Sequence, residues 1–476
     1  MSCHLSVGRL EFSPEDVART VRDRRLLAIE VELGRAGGLA VAGARAAITQ
    51  ACDLGARKLA VRGAEPLSSP EALAILVHGC EQRMEVEVFT NGSGLDRATA
   101  ERLFALGVQV VLRRDSSVPE IQDQLAGLPG AQQVIAAAYR NLRDAGYPSG
   151  ERRLGISSVI FRLNQAEILG LWQWSRGEGL VPYVELIQPH DGIPGWEALA
   201  LSPHEYQDTL EQLAAWDHEH GGPAWDPQAP FVDKRCQRHR VSCVVDAEGR
   251  VLPCAGLRIP IGNIHERSLR EILDDSEVME NLRDDEHAIT GPCAACRLGE
   301  GCHGCRGSAF AETGDYLASD PRCWHNRDRQ HEIARLPLVA APLIPQGDPM
   351  RLVDTLRSVG ERIATAGVTV RAEMPFVDEA GVLSAAAYLE MMAQAAAAMA
   401  GFGKRGRGER EAGLMLGTRN LEILGEARIG DELEIEVCKS ARLGGFGIVQ
   451  GCVRRQADVL ARGEIKILQL GTPEAS

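Results

Sequence analysis

Between residues 20 and 200, short apolar runs alternate with longer helix-like segments. The apolar runs lie at 26–33 (LLAIEVEL), 58–63 (KLAVRG), 86–92 (VEVFTNG) and 108–115 (VQVVLRRD). The segments between them, 43–56, 70–83 and 98–107, have the length and composition of helices. Strands that are separated by helices of this length form βαβ units with a parallel sheet. The pattern therefore predicts an α/β fold with a full or partial βα barrel.

The pattern changes twice further along the chain. Residues 231–330 are rich in Cys, Gly and Asp and have few long apolar runs, so we expect a bound metal to hold this segment together. Residues 331–342 are a short linker that contains Pro and Ala. After it, strand-like alternation surrounds one Ala-rich helix-like stretch at 384–401, with Gly401 as its C-cap. This second pattern predicts an α+β sheet wrapped around a helix.

The length of 476 residues is too great for one hydrophobic core. We expect a βα barrel at 1–230, a Cys-rich domain at 231–330, the linker at 331–342 and an α+β domain at 343–476. The net charge of −14 argues against nucleic acid and anionic membranes as partners. No apolar run has the length of a membrane span, and the start, MSCHLSVGRLEF, lacks the apolar core of a signal peptide. A cytoplasmic protein is therefore expected.

Thirteen cysteines in a cytoplasmic chain indicate metal or redox chemistry, because thiols stay reduced in that compartment. Eight of them fall between residues 236 and 323, and the other five are scattered singly. Eight thiolates make two four-ligand sites, which suit either zinc or iron–sulfur clusters, and the spacing alone does not separate the two. The candidate ligands are Cys236, Cys243, Cys254, Cys293, Cys296, Cys302, Cys305 and Cys323.

The sequence around these cysteines resembles the SPASM domain of radical SAM proteins. The resemblance rests on CVVDAEGRVLPC, IPIGNIHERSLREIL, CAACRLGEGCHGCRG and TGDYLASDPRC, although the gap between Cys302 and Cys305 is one residue shorter than is common. It implies two auxiliary [4Fe–4S] clusters. One would be held by Cys236, Cys243, Cys254 and Cys305, and the other by Cys293, Cys296, Cys302 and Cys323.

A SPASM-like segment implies a radical SAM barrel before it, and the first part of the chain resembles one. RGAEP at 62–66 resembles the GGEP motif, whose turn contacts the methionyl amine of S-adenosylmethionine in that family. VFTNG at 88–92 resembles the strand end that follows. Both motifs fall at carboxyl ends of predicted strands, where a βα barrel carries its ligand site. The resemblance thus identifies Gly63, Glu65, Thr90 and Asn91 as a vestigial S-adenosylmethionine site.

The motif that defines the radical SAM family, CxxxCxxC after the first strand, does not occur in the chain. Its three thiolates hold a cluster with one iron open to chelate S-adenosylmethionine. Alignment on Leu39 puts Gly37, Val41 and Ala44 at the three cysteine positions, and none of these can bind iron. Without that cluster no electron reaches the sulfonium. We therefore expect a barrel that does not cleave S-adenosylmethionine.

The C-terminal part resembles the hotdog-fold 3-hydroxyacyl-(acyl carrier protein) dehydratases, and most closely the variant subfamily found with aryl-polyene pathways. The LEMMAQA helix and the LGTR strand carry this resemblance. Dehydration needs a base near the α-carbon and an acid near the leaving hydroxyl. The resemblance implies catalytic roles for Glu390, for Gln394 one helical turn on, and for Asp378 in the loop where a histidine is usual. Gln346 replaces the histidine of an LIPH motif, which argues against full dehydratase turnover.

Three functions stay open at this point. The first is an iron–sulfur protein of fatty-acid- or polyketide-like biosynthesis, whose hotdog domain binds an acyl thioester or acyl carrier protein while the clusters recruit a biosynthetic partner or transfer electrons. The second is an active radical SAM enzyme that modifies a peptide or small molecule. The third is a non-catalytic scaffold. Hotdog domains usually pair through their sheets, so the resemblance also implies a homodimer.

Overall fold

The structure is a computed structural model that describes residues 12–34, 41–187, 195–223, 225–227, 238–284, 289–296, 298, 302, 304–405, 412–443 and 446–470. The described residues form two compact units. The first draws on Met1–Arg283, Cys296–Ala311 and Asp320–Gln330, and the second on Asp284–Ala295, Glu312–Ser319 and His331–Ser476. Among these residues, no helix combines the length and apolar character that crossing a bilayer requires.

The secondary structure follows the order that the sequence pattern predicts. The helices are α1 (Pro14–Arg22), α2 (Val41–Asp53), α3 (Pro70–Glu81), α4 (Arg97–Leu106), α5 (Pro119–Ala126), α6 (Ala131–Ala145), α7 (Ile168–Gly177), α8 (Trp196–Leu199), α9 (Pro203–Glu219), α10 (Arg238–Val241), α11 (Leu269–Asp275), α12 (Glu277–Arg283), α13 (Arg306–Thr313) and α14 (Ala385–Lys404). The strands are β1 (Ala28–Leu33), β2 (Lys58–Gly63), β3 (Glu85–Thr90), β4 (Gln109–Arg113), β5 (Leu154–Ile160), β6 (Val181–Leu186), β7 (Ser242–Val245), β8 (Arg250–Leu252), β9 (Gly262–Asn263), β10 (Leu338–Val339), β11 (Thr355–Val359), β12 (Ile363–Thr369), β13 (Ala412–Ile423), β14 (Glu432–Leu443), β15 (Phe446–Arg455) and β16 (Asp458–Leu470).

The first unit is built on a nine-stranded sheet in the order β6-β5-β4-β3-β2-β1-β7-β8-β9. Strands β1 to β6 pair in parallel and β7 joins β1 in parallel, whereas β8 and β9 are antiparallel additions. On one face, Gly79 of α3 lies so close to Leu59 and Val86 that a Cβ there would be 2.5 Å from Leu59 and 3.0 Å from Val86. This face packs on helices, and the predicted α/β partial barrel is confirmed.

The second unit holds a seven-stranded antiparallel sheet in the order β10-β11-β12-β14-β15-β16-β13, with α14 packed against it. Small residues let helix and sheet approach, since a Cβ on Gly451 of β15 would lie 2.5 Å from the sulfur of Met392. The buried side of α14 is mostly Ala and Met. The predicted sheet wrapped around an Ala-rich helix, as in a hotdog fold, is therefore confirmed.

Two details differ from the sequence pattern. Gly401 was expected to cap the helix, but α14 continues to Lys404 and its C-cap is Arg405. A Cβ on Gly401 would lie 2.0 Å from the carbonyl oxygen of Leu343, so this glycine serves a close backbone crossing inside the helix. Within the predicted linker 331–342, β10 pairs with β11 and so belongs to the second sheet. The predicted domain limits themselves stay a prediction.

Candidate functional site

The loop after β2 and the end of β3 meet at the carboxyl edge of the parallel sheet. The carboxylate of Glu65 accepts hydrogen bonds from the Thr90 hydroxyl at 2.7 Å, the Asn91 amide at 2.6 Å and the Leu67 amide at 3.1 Å. Burial raises the pKa of Glu65, and the hydrogen bonds from Thr90, Asn91 and Leu67 oppose that rise. The Glu65 carboxylate thus links the loop after β2 to the end of β3.

Gly63 completes this edge. Its φ is +136°, and a Cβ there would lie 2.0 Å from the carbonyl oxygen of Leu33, so only glycine lets β1 and β2 end side by side. The structure therefore brings the predicted residues Gly63, Glu65, Thr90 and Asn91 to one edge of the sheet. Their assignment to S-adenosylmethionine stays a prediction.

Gly37, Val41 and Ala44 stand where the family motif carries its three cysteines. Gly37 lies outside the described residues. Val41 is the first residue of α2, and Ala44 is a fully buried residue of the same helix. Valine and alanine carry no atom that can ligate iron, so the two described positions pack as ordinary helix residues.

The face of the parallel sheet opposite the helices carries buried charges that belong to none of the sequence motifs. Glu30 pairs with Arg62 at 3.0 Å, and the Arg62 guanidinium lies 4.0 Å from the centre of the Phe89 ring. Glu32 accepts from Arg258 at 2.8 Å. Burial raises the pKa of Glu30, and Arg62 opposes that rise. The alternation of charged and apolar residues in LLAIEVEL and KLAVRG was the signal that could have identified this face.

The same face continues across the sheet to β6. Glu185 is 7% exposed and accepts a hydrogen bond from the Ser157 hydroxyl at 2.9 Å. Burial raises its pKa to about 7, against the opposing effect of Arg62. Nζ of Lys58 on β2 lies 3.7 Å from Oε2 of Glu87 on β3. A buried face with several carboxylates and guanidinium groups suits a polar ligand better than an apolar one.

The cysteines of the SPASM-like segment occupy several elements. Cys243 lies on β7, Cys254 follows β8, and both are buried, while Cys236 lies outside the described residues. Burial raises the pKa of the Cys243 thiol to about 12, so ligation of a metal by this thiol would require the loss of its proton. Within the described residues, no three Cys, His, Asp or Glu side chains converge as ligands of a single metal ion.

The surroundings of Cys305 fit an iron–sulfur ligand. The Ser308 amide donates to the Cys305 sulfur at 3.3 Å, and N–H donors to sulfur are a feature of such sites. The Cys305 amide donates to Asp320 Oδ2 at 2.9 Å, and the Cys323 amide donates to the Asp320 carbonyl at 3.4 Å. The buried Asp320 thus holds the backbone around two of the predicted ligands. A donor set of cysteines alone suits iron–sulfur clusters or zinc.

In the second unit, helix α14 brings Glu390 and Gln394 together. The Gln394 amide donates to Glu390 Oε1 at 2.8 Å, and Gln346 Nε2 lies 3.4 Å from the same oxygen. Gln346 Oε1 is buried and has no hydrogen-bond partner among the described residues. Asp378 is placed differently, since its Oδ1 accepts the Ala380 and Val382 amides of its own turn. Glu390, Gln394 and Gln346 therefore form the candidate acyl site.

Two family models match parts of the chain. The SPASM model, an iron–sulfur cluster-binding domain, matches residues 236–297, and the ApeP-like model, an ApeP dehydratase, matches residues 338–475. The chain resembles the solved structure of Streptococcus suis SuiB bound to S-adenosylmethionine, with a TM-score of 0.50 and 15% identity over 64% of this chain and 80% of SuiB. That likeness shows the fold of the barrel and SPASM region.

Curated relatives match more than half of the chain. The AdoMet-dependent heme synthase of Methanosarcina barkeri is 30% identical over 314 residues, which cover 60% of this chain and 88% of that protein. The PqqA peptide cyclase of Gluconobacter oxydans is 27% identical over 306 residues, or 60% of this chain and 83% of that protein. These matches show that the chain belongs to the radical SAM/SPASM family, with an iron–sulfur cluster-binding SPASM domain and an ApeP-like dehydratase domain at its C-terminal end.

Proposed function

We propose that this chain holds two [4Fe–4S] clusters on the eight cysteines between residues 236 and 323, does not cleave S-adenosylmethionine, and binds an acyl thioester or acyl carrier protein in its hotdog domain. The observation that carries the proposal is a contrast within one chain. The SPASM cysteines are all present, whereas Val41 and Ala44 stand in helix α2 where the family binds its catalytic cluster. When bound, the clusters would supply electron transfer.

The acyl site supports binding more strongly than turnover. Glu390 is the only ionisable side chain of the Glu390–Gln394–Gln346 group, so it is the candidate base, and the amide of Gln346 cannot deliver a proton to a leaving hydroxyl. The buried Gln346 Oε1 would accept a hydrogen bond from a ligand hydroxyl or amide. Asp378 holds its own turn, which weakens the case for it as the acid.

The proposed setting is cytoplasmic biosynthesis of a fatty-acid- or polyketide-like product, with a redox or biosynthetic protein as partner. We also propose a homodimer through the hotdog domain. Support comes from β13, which pairs with β16 and is the last strand of the described sheet. It exposes Leu414, Met415 and Leu416, and a long apolar edge strand favours pairing with another chain.

A second candidate is a radical SAM enzyme that modifies a peptide. The observation in its favour is the likeness to a PqqA peptide cyclase over 60% of this chain. The retained edge of Gly63, Glu65, Thr90 and Asn91 would serve such an enzyme as well. A non-catalytic scaffold is the third candidate.

Anaerobic reconstitution of the full chain with iron and sulfide tests the cluster proposal. We expect about eight irons per chain, from two four-iron clusters, and a broad visible absorption. About twelve irons would favour the active radical SAM enzyme, since a third cluster would be present. Bound zinc without visible absorption would refute the iron–sulfur proposal.

Hydration of a crotonyl-carrier protein tests the acyl site. We expect the full chain to bind the carrier-linked thioester and to hydrate it slowly, and Glu390→Ala to abolish the hydration. Glu390→Gln is the matched control, because it keeps the hydrogen-bonding shape and removes the base. Hydration that survives both substitutions would refute the role of Glu390.

A further inference from the structure

The C-terminal end of α14 is joined to a segment that precedes the hotdog domain in sequence. Arg405, the C-cap of α14, donates to Oδ2 of Asp315, which is fully buried, and donates to the Phe402 carbonyl at 2.8 Å. The Arg405 guanidinium also lies 3.8 Å from the centre of the Phe402 ring. The Tyr316 ring packs on the same ring with centres 5.7 Å apart. A buried carboxylate with a fixed guanidinium partner is costly to separate.

A continuous set of hydrogen bonds leads from Asp315 to a predicted cluster ligand. Asp315 Oδ1 accepts the Leu317 amide at 2.8 Å, and the Leu317 carbonyl accepts the Thr290 amide at 2.9 Å. The Ser319 hydroxyl donates to the Thr290 carbonyl at 2.7 Å and accepts the Cys293 amide at 2.8 Å. The backbone that carries Cys293 is thus positioned by contacts that begin at the hotdog helix. We refer to this path as the Arg405–Cys293 path.

All members of the Arg405–Cys293 path belong to the second compact unit, together with the seven-stranded sheet. Helix α14 also carries Glu390 and Gln394, so one helix holds residues of the candidate acyl site and is joined at its C-cap to the path that ends at Cys293. Coupling between two sites requires such a shared physical element.

We propose that Asp315 and Arg405 are positioning residues for the cluster that Cys293 helps to hold, so that the hotdog domain forms part of the scaffold on which this cluster assembles. The inference rests on the proposed ligand role of Cys293. Since coupling is reciprocal, loading of the cluster stabilises α14, and the folded hotdog domain favours loading. Cys293 and the helix that carries the candidate acyl site are then coupled within the second unit.

The test uses the full chain with Arg405→Gln, the charge-conserving Arg405→Lys, and Arg371→Gln as a matched control. Arg371 pairs with Asp354 at 2.8 Å in the same domain but lies outside the Arg405–Cys293 path. After anaerobic reconstitution, iron and sulfide per chain and the electron paramagnetic resonance of the reduced clusters are measured. We expect Arg405→Gln to lose about four irons and one cluster signal, while the other two proteins keep the wild-type content.

A second readout is hydrogen exchange of the amides of α14, with and without clusters. In wild-type protein and Arg371→Gln, loading should slow this exchange about fivefold or more, the lower end of typical coupling. In Arg405→Gln the effect of loading should vanish. If Arg405→Gln does not fold, the inference is still tested by the α14 hydrogen exchange of the wild-type protein and by the iron content of Arg405→Lys.

Three results would overturn the inference: full iron content in Arg405→Gln, equal loss in Arg405→Gln and Arg371→Gln, or α14 exchange in wild-type protein that does not respond to loading. A wild-type chain that binds no iron would instead refute the proposed cluster function. The two failures are therefore distinguishable.

Discussion

Gln394 gives the sharpest test of how the acyl site is held together. It is fully buried on α14, and its side chain accepts the Leu352 amide at 2.7 Å, donates to the Met350 carbonyl at 2.7 Å and donates to Glu390 at 2.8 Å. Gln394→Met keeps nearly the same volume and removes all of these hydrogen bonds. The substitution therefore isolates the polar role of the side chain from its packing.

Most of the stability lost in Gln394→Met comes from polar groups that cannot form a replacement hydrogen bond to water. Leu352 is fully buried, so its amide loses its acceptor without replacement, which costs about 1–3 kcal/mol. Met350 is 41% exposed and its carbonyl can bond to water, so that contribution is small. The hydrogen bond from Gln394 to the Glu390 carboxylate is also lost. A hydrogen bond to a charged group typically contributes about 1.5–3 kcal/mol, and we expect less here because Glu390 is only half-buried. We expect a net destabilisation of about 2–4 kcal/mol.

The six tryptophans all lie at or before residue 324, so their fluorescence does not report on the hotdog domain. Hydrogen exchange of the α14 amides reports on the hotdog domain directly. This exchange should accelerate by about 30-fold to 1,000-fold in Gln394→Met. Gln450→Met, at an exposed position of β15, is the control and should change stability by less than about 0.5 kcal/mol. Equal exchange in both variants would show that the Gln394 hydrogen bonds do not hold the site.

Three further substitutions test positions elsewhere: the buried Glu185 and Gly401, and the exposed Gly177. The native pKa of Glu185, about 7, lies above its ordinary value of 4.5, so the native state holds the proton more tightly and stability falls as pH rises from 4.5 through 7. Glu185→Gln keeps an acceptor for Ser157. Its free energy of unfolding should exceed that of wild type by up to about 3 kcal/mol at pH 8 and by nothing near pH 4.5. Urea unfolding followed by tryptophan fluorescence measures this, and a difference that does not depend on pH would contradict it. Gly401→Ala should destabilise the hotdog domain by about 1–3 kcal/mol, because the added Cβ would clash with Leu343. Gly177→Ala, with open space around it, should stabilise the chain by about 0.4–1 kcal/mol. Thermal unfolding of both variants checks the opposite signs of the two effects.

Local patterns predicted those features that depend on neighbours in sequence. The alternation of short apolar runs with helices predicted β1 to β4 and the parallel sheet, because periodicity follows from which face of an element is buried. The SPASM and hotdog domains were predicted from family resemblance, carried by the sequence around the cysteines and by the LEMMAQA helix, and the family models match both regions. The grouping of Glu390 and Gln394 followed from their separation of one helical turn.

Other features depend on residues far apart in sequence. Gly401 looked like a helix end, and only the crossing of Leu343 explains why it lies inside α14. The catalytic role of Asp378 stays a prediction, but residue type alone does not reveal that its carboxylate accepts two amides of its own turn. The charges of β1 and β2 alternate visibly in sequence, yet their pairing across the sheet required the register of the strands.

The sequence by itself determined the order of elements, through its local pattern, and the family, through the resemblance of its motifs. It also determined the absence of the three catalytic-cluster cysteines. Only the tertiary structure decided that Glu65 holds two strand ends together and that Asp315 meets Arg405. The physical reason is burial: a carboxylate without water must find a partner in space, and its position in the chain does not say which one.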